Sequence, residues 1–290
     1  MKIQYVEKNF RKSSQALIEQ ANQIIDDYSQ DGYDLTLRQL YYQFVARDKI
    51  ANRQNEYKRL GSVVNDARLA GLLDWDSIVD RTRGHKARPH WNSPAEILHT
   101  AAKGYGIDTR LDQDDYVEVW VEKDALVGVI DHACHPLDVG YLSCRGYVSQ
   151  SAMWRAAQRF ISKERYGQNA FLIHLGDHDP SGIDMTRDIQ DRLNMFGSSV
   201  VVERIALNME QINEYQPPPN PAKTTDSRYA TYIAEYGAES WELDALDPRV
   251  LAALITTAVN KHTQTTKQKK RIVLQEQQRA EIEEVAEQWN

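Results

Sequence analysis

Three acidic residues stand where they could hold a divalent cation. Val117, Val119 and Val121 alternate along one apolar stretch, and Glu122 follows it directly. A second apolar stretch, Phe171-Leu-Ile-His-Leu175, runs into Gly176-Asp177-His-Asp179-Pro-Ser-Gly182. Asp177 and Asp179 are two residues apart, so in an extended segment both carboxylates project to the same side. If the two stretches are strands of an open α/β sheet, Glu122, Asp177 and Asp179 converge at the carboxyl ends, where such sheets bind ligands. Oxygen donors with no histidine or thiolate at ligand spacing select a hard cation, Mg2+ first. Magnesium held there would clamp phosphate oxygens and stabilise the charge that develops on them. The Asp-x-Asp-Pro-Ser-Gly run also reads as a turn with a helix N-cap. A lone glutamate at a strand end is ordinary surface. The combination of all three is what points to a metal.

A second group lies upstream. Arg38, Tyr41 and Tyr42 fall within one helical stretch whose apolar stripe is Leu37, Leu40, Tyr41, Phe44 and Val45. Tyr41 belongs to that stripe. Tyr42 is four residues from Arg38, so those two side chains are neighbours on a different face. A tyrosine beside an arginine on a DNA-facing helix suits a nucleophile, because the guanidinium favours the phenolate and holds a phosphate. The alternative on helix geometry alone is that both tyrosines pack and Arg38 is solvated. His132, Cys134, His135 and Cys144 fit no zinc spacing and read as loop and core residues.

These residues need elements to place them. Residues 13–28 form an amphipathic helix with Leu17, Ile18, Ala21, Ile24 and Ile25 on one stripe. Thr36-Leu-Arg-Gln39 fits a capping box that starts the tyrosine helix. A third helix spans about 56–70, followed by a short, partly β-like run at 71–78. Two helices and a β element with basic residues resemble a winged helix-turn-helix, and 81–92 reads as an exposed loop or wing. A helix at about 93–104 leads into a region where strands and helices alternate. The expected strands are 115–121, 140–144, 170–175 and 200–206, with helices from about 123, 149–164 and 182–195. That alternation implies α/β architecture, a parallel sheet with helices on both faces. The expected divisions are therefore 1–104, 105–247 and a helical tail, 248–290.

The 290 residues carry a net charge of −7, which argues against a chain that simply coats nucleic acid. Residues 35–90 hold eleven basic against six acidic residues, a net +5, which leaves −12 on the remainder. A basic module on an acidic body, with Lys58 and Arg59 among its cations, suits a protein that meets phosphates with one face. No apolar run approaches the roughly 18 residues a membrane span needs. The N-terminus lacks the apolar core of a secretory signal, and two cysteines are too few for a disulfide framework. A cytoplasmic, nucleoid-associated protein with no membrane partner is the expectation.

The run Val117-Glu-Val-Trp-Val-Glu122-Lys123-Asp124-Ala125 resembles the first Toprim motif of the topoisomerase VI A-subunit family, which includes the meiotic double-strand-break protein. Gly176-Asp177-His-Asp179-Pro180-Ser-Gly182 resembles its Asp-x-Asp-Pro-x-Gly motif. Ser143-Cys-Arg145-Gly146-Tyr147 resembles its basic-Gly-Tyr turn, and Leu37-Arg38-Gln-Leu-Tyr41-Tyr42 its Arg-x-x-Tyr-Tyr helix. The motifs cover roughly residues 30 to 210, in the family's order of winged helix, then Toprim.

The resemblance implies that Tyr42 attacks double-stranded DNA to form a 5′-phosphotyrosyl link, with Tyr41 as fallback nucleophile and Arg38 on the scissile phosphate. It implies Mg2+ on Glu122, Asp177 and Asp179, and DNA contacts from Lys123 and Arg145. It also implies a homodimer in which each tyrosine meets the partner's metal site. The chain is shorter than typical A subunits, more like stand-alone small A-like proteins of bacteria and mobile elements. It carries no GHKL-type ATPase segment, so ATP-driven strand passage would need a separate B-type subunit. Two other functions stay open: a hydrolytic Toprim nuclease whose tyrosines are structural, and a non-catalytic DNA-binding module. The segment 240–246 receives no role.

Overall fold

In the computed structural model, which describes residues 1–79 and 88–289, the chain begins with three mutually packed helices. They are α1 (Lys12–Ser29), α2 (Leu37–Ala46) and α3 (Gln54–Leu69). The expected stripe of α1 is buried from Leu17 to Ile25. The capping box of α2 forms as the sequence predicts: Gln39 N donates to Thr36 Oγ1 at 3.2 Å, and Thr36 N donates to Gln39 Oε1 at 2.8 Å. The β-like run at 71–78 is reduced to one parallel bridge between Leu35 and Ile78, so backbone pairing here is much thinner than expected. Of the basic loop at 81–92, residues 81–87 lie outside the described residues, and 88–92 form neither helix nor strand.

Next come α4 (Pro94–Gly104), β1 (Asp115–Val121), α5 (Val127–Cys134), β2 (Gly140–Ser143) and α6 (Gln150–Arg165). They are followed by β3 (Asn169–Leu175), α7 (Pro180–Met195) and β4 (Val201–Ala206). The four strands are all parallel, in the order β2-β1-β3-β4. The chain winds outward from β1 to β2, then crosses back to place β3 on β1's other side. The gap between the carboxyl ends of β1 and β3 is therefore a topological switch point. Val121 pairs in register with Leu175, so Glu122 and Gly176 leave the sheet at the same level.

Alternate residues of each strand serve opposite faces. Val117, Val119, Val121, Ile173 and Leu175 face α5 and a later helix, in a cluster that continues without a break into the three N-terminal helices. Trp120 and Leu172 face α6 and α7. A fully buried side chain of this kind contributes about 1.5–3 kcal/mol, so the two clusters clamp the sheet firmly. Glu118 is the charged exception on β1. Its carboxylate accepts from Arg159 Nε and Nη2 at 2.9 Å, from Trp120 Nε1 at 3.0 Å and from the Tyr116 hydroxyl at 2.8 Å. Four donors satisfy the charge, which is how a buried carboxylate is tolerated.

The remainder comprises α8 (Met209–Tyr215), β5 (Asn220–Pro221), α9 (Tyr229–Tyr236), β6 (Glu239–Ser240), α10 (Pro248–Lys261) and α11 (Thr265–Glu287). The tail is helical, as expected, but it is woven into the body. α10 covers the sheet beside α5, and α11 packs along α4. Tyr28 of α1 donates to Asp247 Oδ2 at 2.6 Å just ahead of α10. Among the described residues no helix is long and apolar enough to cross a membrane.

Candidate functional site

The loop after β3 is the most tightly specified backbone in the fold. Asp179 is the N-cap of α7: its Oδ1 accepts from Gly182 N at 2.6 Å and from Ser181 Oγ at 2.9 Å. Pro180 follows at the first helical position, where a missing N–H costs nothing. A Cβ at Gly182 would collide with the carbonyl oxygen of Asp177 and lie 3.0 Å from its carbon, so only glycine fits there. Arg204, reaching in from β4, ties the loop from below. Its Nη2 donates to Gly176 O at 2.9 Å and Asp177 O at 2.7 Å, and its Nη1 to Gly182 O at 2.9 Å.

Glu122 enters from β1. Its Oε2 accepts from Asp177 N at 2.8 Å, which locks the two strand ends together. Asp177 turns its carboxylate the other way. Oδ1 accepts from Leu243 N at 2.8 Å and lies 2.9 Å from Lys123 Nζ. Asp179 keeps Oδ2 on the outer side, 3.9 Å from Lys223 Nζ. The turn reading of the motif and the ligand reading thus fall on different oxygens of the same residue.

The electrostatics tie the three carboxylates together. Burial raises the Glu122 carboxyl above its ordinary value, and Asp179 nearby raises it further, while Lys123 opposes. Asp177 is pushed up to about 7, first by burial and then by Glu122, again against Lys123. Burial is the larger cause in both, because it penalises the charged form, and the neighbouring carboxylates add to it. Among the described residues, no group of three or more histidine, cysteine, aspartate or glutamate side chains is arranged to hold a metal ion as it stands. Hard oxygen donors of this kind suit Mg2+. Asp177 Oδ1 is already held by Lys123 and Leu243, so Oδ2 is the oxygen left for a cation.

Lys123 sits inside a cage of acids. Besides Asp177, its ammonium lies 2.7 Å from Glu242 Oε2 and 2.9 Å from Asp244 Oδ1. The other side of this pair belongs to Arg38, which ion-pairs with Glu242 and with Asp244 Oδ2 at 3.1 Å. Arg38 Nη2 also donates to the Tyr42 hydroxyl at 3.3 Å. Tyr42, Arg38, Glu242, Lys123 and Asp177 therefore form one continuous polar chain from α2 to the carboxylates.

Both tyrosines of α2 pack, as helix geometry alone allows. Tyr41 and Tyr42 are both buried, at 5% and 3% exposure. The face of α2 that carries Tyr42 is covered by the 243–245 turn. Burial, then Asp244 and Glu242, push the Tyr42 hydroxyl up to about 12, although Arg38 pulls the other way. Tyr41 donates to Asn52 Oδ1 at 3.0 Å and packs on Tyr57. Lys58 and Arg59 lie exposed on α3, the latter 2.9 Å from Glu56. Arg145 is largely exposed beside the site, with Asp124 Oδ2 at 2.9 Å. Cys134 and Cys144 are buried free thiols.

Sequence reasoning missed Glu242, Asp244 and Arg204. A bridge between Trp241 and His178, with two backbone hydrogen bonds of 2.9 Å, pins the first two beside the motif. The available signals were the Glu242-Leu-Asp244 spacing of two, and a lone arginine inside the apolar strand 201–206. No family model matches the chain, and neither curated proteins nor solved structures give a significant match.

Proposed function

We propose that this chain cleaves double-stranded DNA in a Mg2+-dependent reaction, with Tyr42 as nucleophile, in the manner of a topoisomerase VI A subunit. On this reading the N-terminal helices are a winged-helix unit and the sheet domain is a Toprim domain. The observation that carries it is the polar chain Tyr42–Arg38–Glu242–Lys123–Asp177, which couples the tyrosine helix to the carboxylates.

Glu122, Asp177 and Asp179 would hold Mg2+, which supplies charge stabilisation to the phosphate oxygens. Arg38 holds the Tyr42 hydroxyl and is placed to take a phosphate oxygen in the same grip. The tyrosine oxygen forms the new bond to phosphorus as its proton passes to solvent, which returns one to the departing 3′-oxygen. The DNA 3′-oxygen leaves and is protonated, and the 5′-phosphate stays on Tyr42. The raised affinity of the hydroxyl for its proton means that DNA must bring compensation before this occurs. A homodimer in which each tyrosine serves the partner's carboxylates requires Arg38 to leave Glu242 and Asp244. Strand passage would require a separate ATPase subunit.

The burial of Tyr42 favours a second reading, a hydrolytic nuclease in which water attacks and the tyrosine only packs. Plasmid scission in Mg2+ separates them. Both readings require loss of scission in Asp177→Asn. Only the tyrosine reading requires its loss in Tyr42→Phe, and full nicking by that variant would leave the hydrolytic reading in place.

A further inference from the structure

Beside Tyr42 the fold leaves a cavity of about 260 Å³ between the start of α3 and the segments that carry Asn220 and Glu242. Its walls are built. Tyr41 fixes the turn before α3 by donating to Asn52 Oδ1 at 3.0 Å, with Arg53 O also within reach at 3.3 Å. Asn52 closes the floor by donating to Pro219 O at 3.0 Å. The rings of Tyr41 and Tyr57 meet edge to face at 5.3 Å, giving the cavity an aromatic side.

Two arginines line it, and they are in opposite states. Arg38 is committed to Glu242 and Asp244. Arg53 is exposed, and its guanidinium has no hydrogen-bond or ion-pair partner among the described residues. Glu242, the acid on the wall, is already met by Arg38 and Lys123. Arg53 is also the N-cap of α3 and makes no side-chain cap, so the positive end of a sixteen-residue helix opens at the same place.

We infer that this cavity receives the nucleotide next to the one being cut, with Arg53 binding its phosphate and Tyr57 lying against its sugar or base. The inference rests on the reading of Tyr42 as the residue that meets DNA. A cavity of this size has room for one sugar-phosphate unit. A free guanidinium, a helix N-terminus and an aromatic wall are the parts such a unit requires. Arg53 is then a positioning residue: it sets the register of the strand so that the adjoining phosphodiester faces Tyr42 and Arg38.

Duplex binding by the full chain, followed by fluorescence anisotropy over a series of salt concentrations, tests this. One phosphate contact contributes about 0.9 to the slope of log affinity against log salt. Arg53→Gln is expected to weaken binding about tenfold and to lower the slope by about 1. Arg53→Lys is expected to restore the slope, which a merely structural role would not do. Arg165→Gln, at the other end of α6 and away from the cavity, serves as the control and is expected to match the wild type. An unchanged slope in Arg53→Gln, alongside wild-type binding and cleavage, overturns the cavity assignment and leaves the Tyr42 reading intact. Loss of the slope with no cleavage by any protein keeps the cavity and overturns the Tyr42 chemistry. Absence of duplex binding by the wild type overturns both.

Discussion

The Lys123 ammonium lies 2.9 Å from Asp177 Oδ1, on the very carboxylate that the sequence marks as a metal ligand. The same ammonium is shared with Glu242 and Asp244. A protein-borne cation thus occupies part of the electrostatic role a divalent ion would fill there.

Removing Lys123 leaves three acids facing each other with only Arg38 between them. Truncating one partner of a buried ion pair costs about 3–5 kcal/mol, so Lys123→Met is expected to unfold at a clearly lower temperature than the wild type. Mg2+ is expected to recover more stability in the variant than in the wild type, because it meets charge that lysine no longer covers. Thermal unfolding with and without Mg2+ reads both effects. Equal recovery in the two proteins would detach Lys123 from the metal site.

The Mg2+ effect carries a pH signature. Asp177 is pushed up to about 7 in the folded chain, and its ordinary value is 3.8. A group with a raised folded value gives stability that is complete below its unfolded value and lost as pH rises through the folded one. Without metal, this contribution therefore declines between about pH 4 and pH 7. Mg2+ must displace the proton to bind. Its stabilisation is expected to be small near pH 5.5 and large above about pH 7.5, and absent in Asp177→Asn. Differential unfolding scans at the two pH values check it. A Mg2+ effect independent of pH would place the ion elsewhere.

Gly182→Ala would force a Cβ against the Asp177 carbonyl. Backbone cannot yield as a flexible side chain does, so the cost is expected at about 3 kcal/mol. The Asp177 peptide must move, and with it the bond to Glu122 Oε2. Denaturant unfolding and the Mg2+ shift are expected to fall together. A variant of wild-type stability that keeps its Mg2+ response would show that the loop relaxes freely.

The strands and the capping box were legible because each depends on residues close in sequence, and the meeting of Glu122 with the Asp177 backbone, 55 residues on, was legible because both follow the carboxyl ends of those strands. The alternation of Val117, Val119 and Val121 sets strand faces, and Thr36 with Gln39 sets a helix start. The cage around Lys123 was not legible. Glu242 and Asp244 are placed by a bridge between Trp241 and His178, 63 residues apart in the chain and beyond any local pattern. What covers Tyr42 was not legible for the same reason. Helix phase separates it from the stripe of Tyr41, but it does not show that a turn at 243–245 covers the other face. The ion pairs of Lys123 were hidden because Glu242 and Asp244 lie more than a hundred residues away.

The central claim is that Tyr42 becomes covalently joined to DNA. The most direct measurement is to incubate the chain with labelled duplex and Mg2+, quench in denaturant and separate the products on a denaturing gel. A labelled protein–DNA adduct is expected. It should require Mg2+, disappear in Tyr42→Phe and Asp177→Asn, and persist in Tyr41→Phe. DNA cleavage with no adduct in the wild type, or an adduct that survives Tyr42→Phe, would contradict the account.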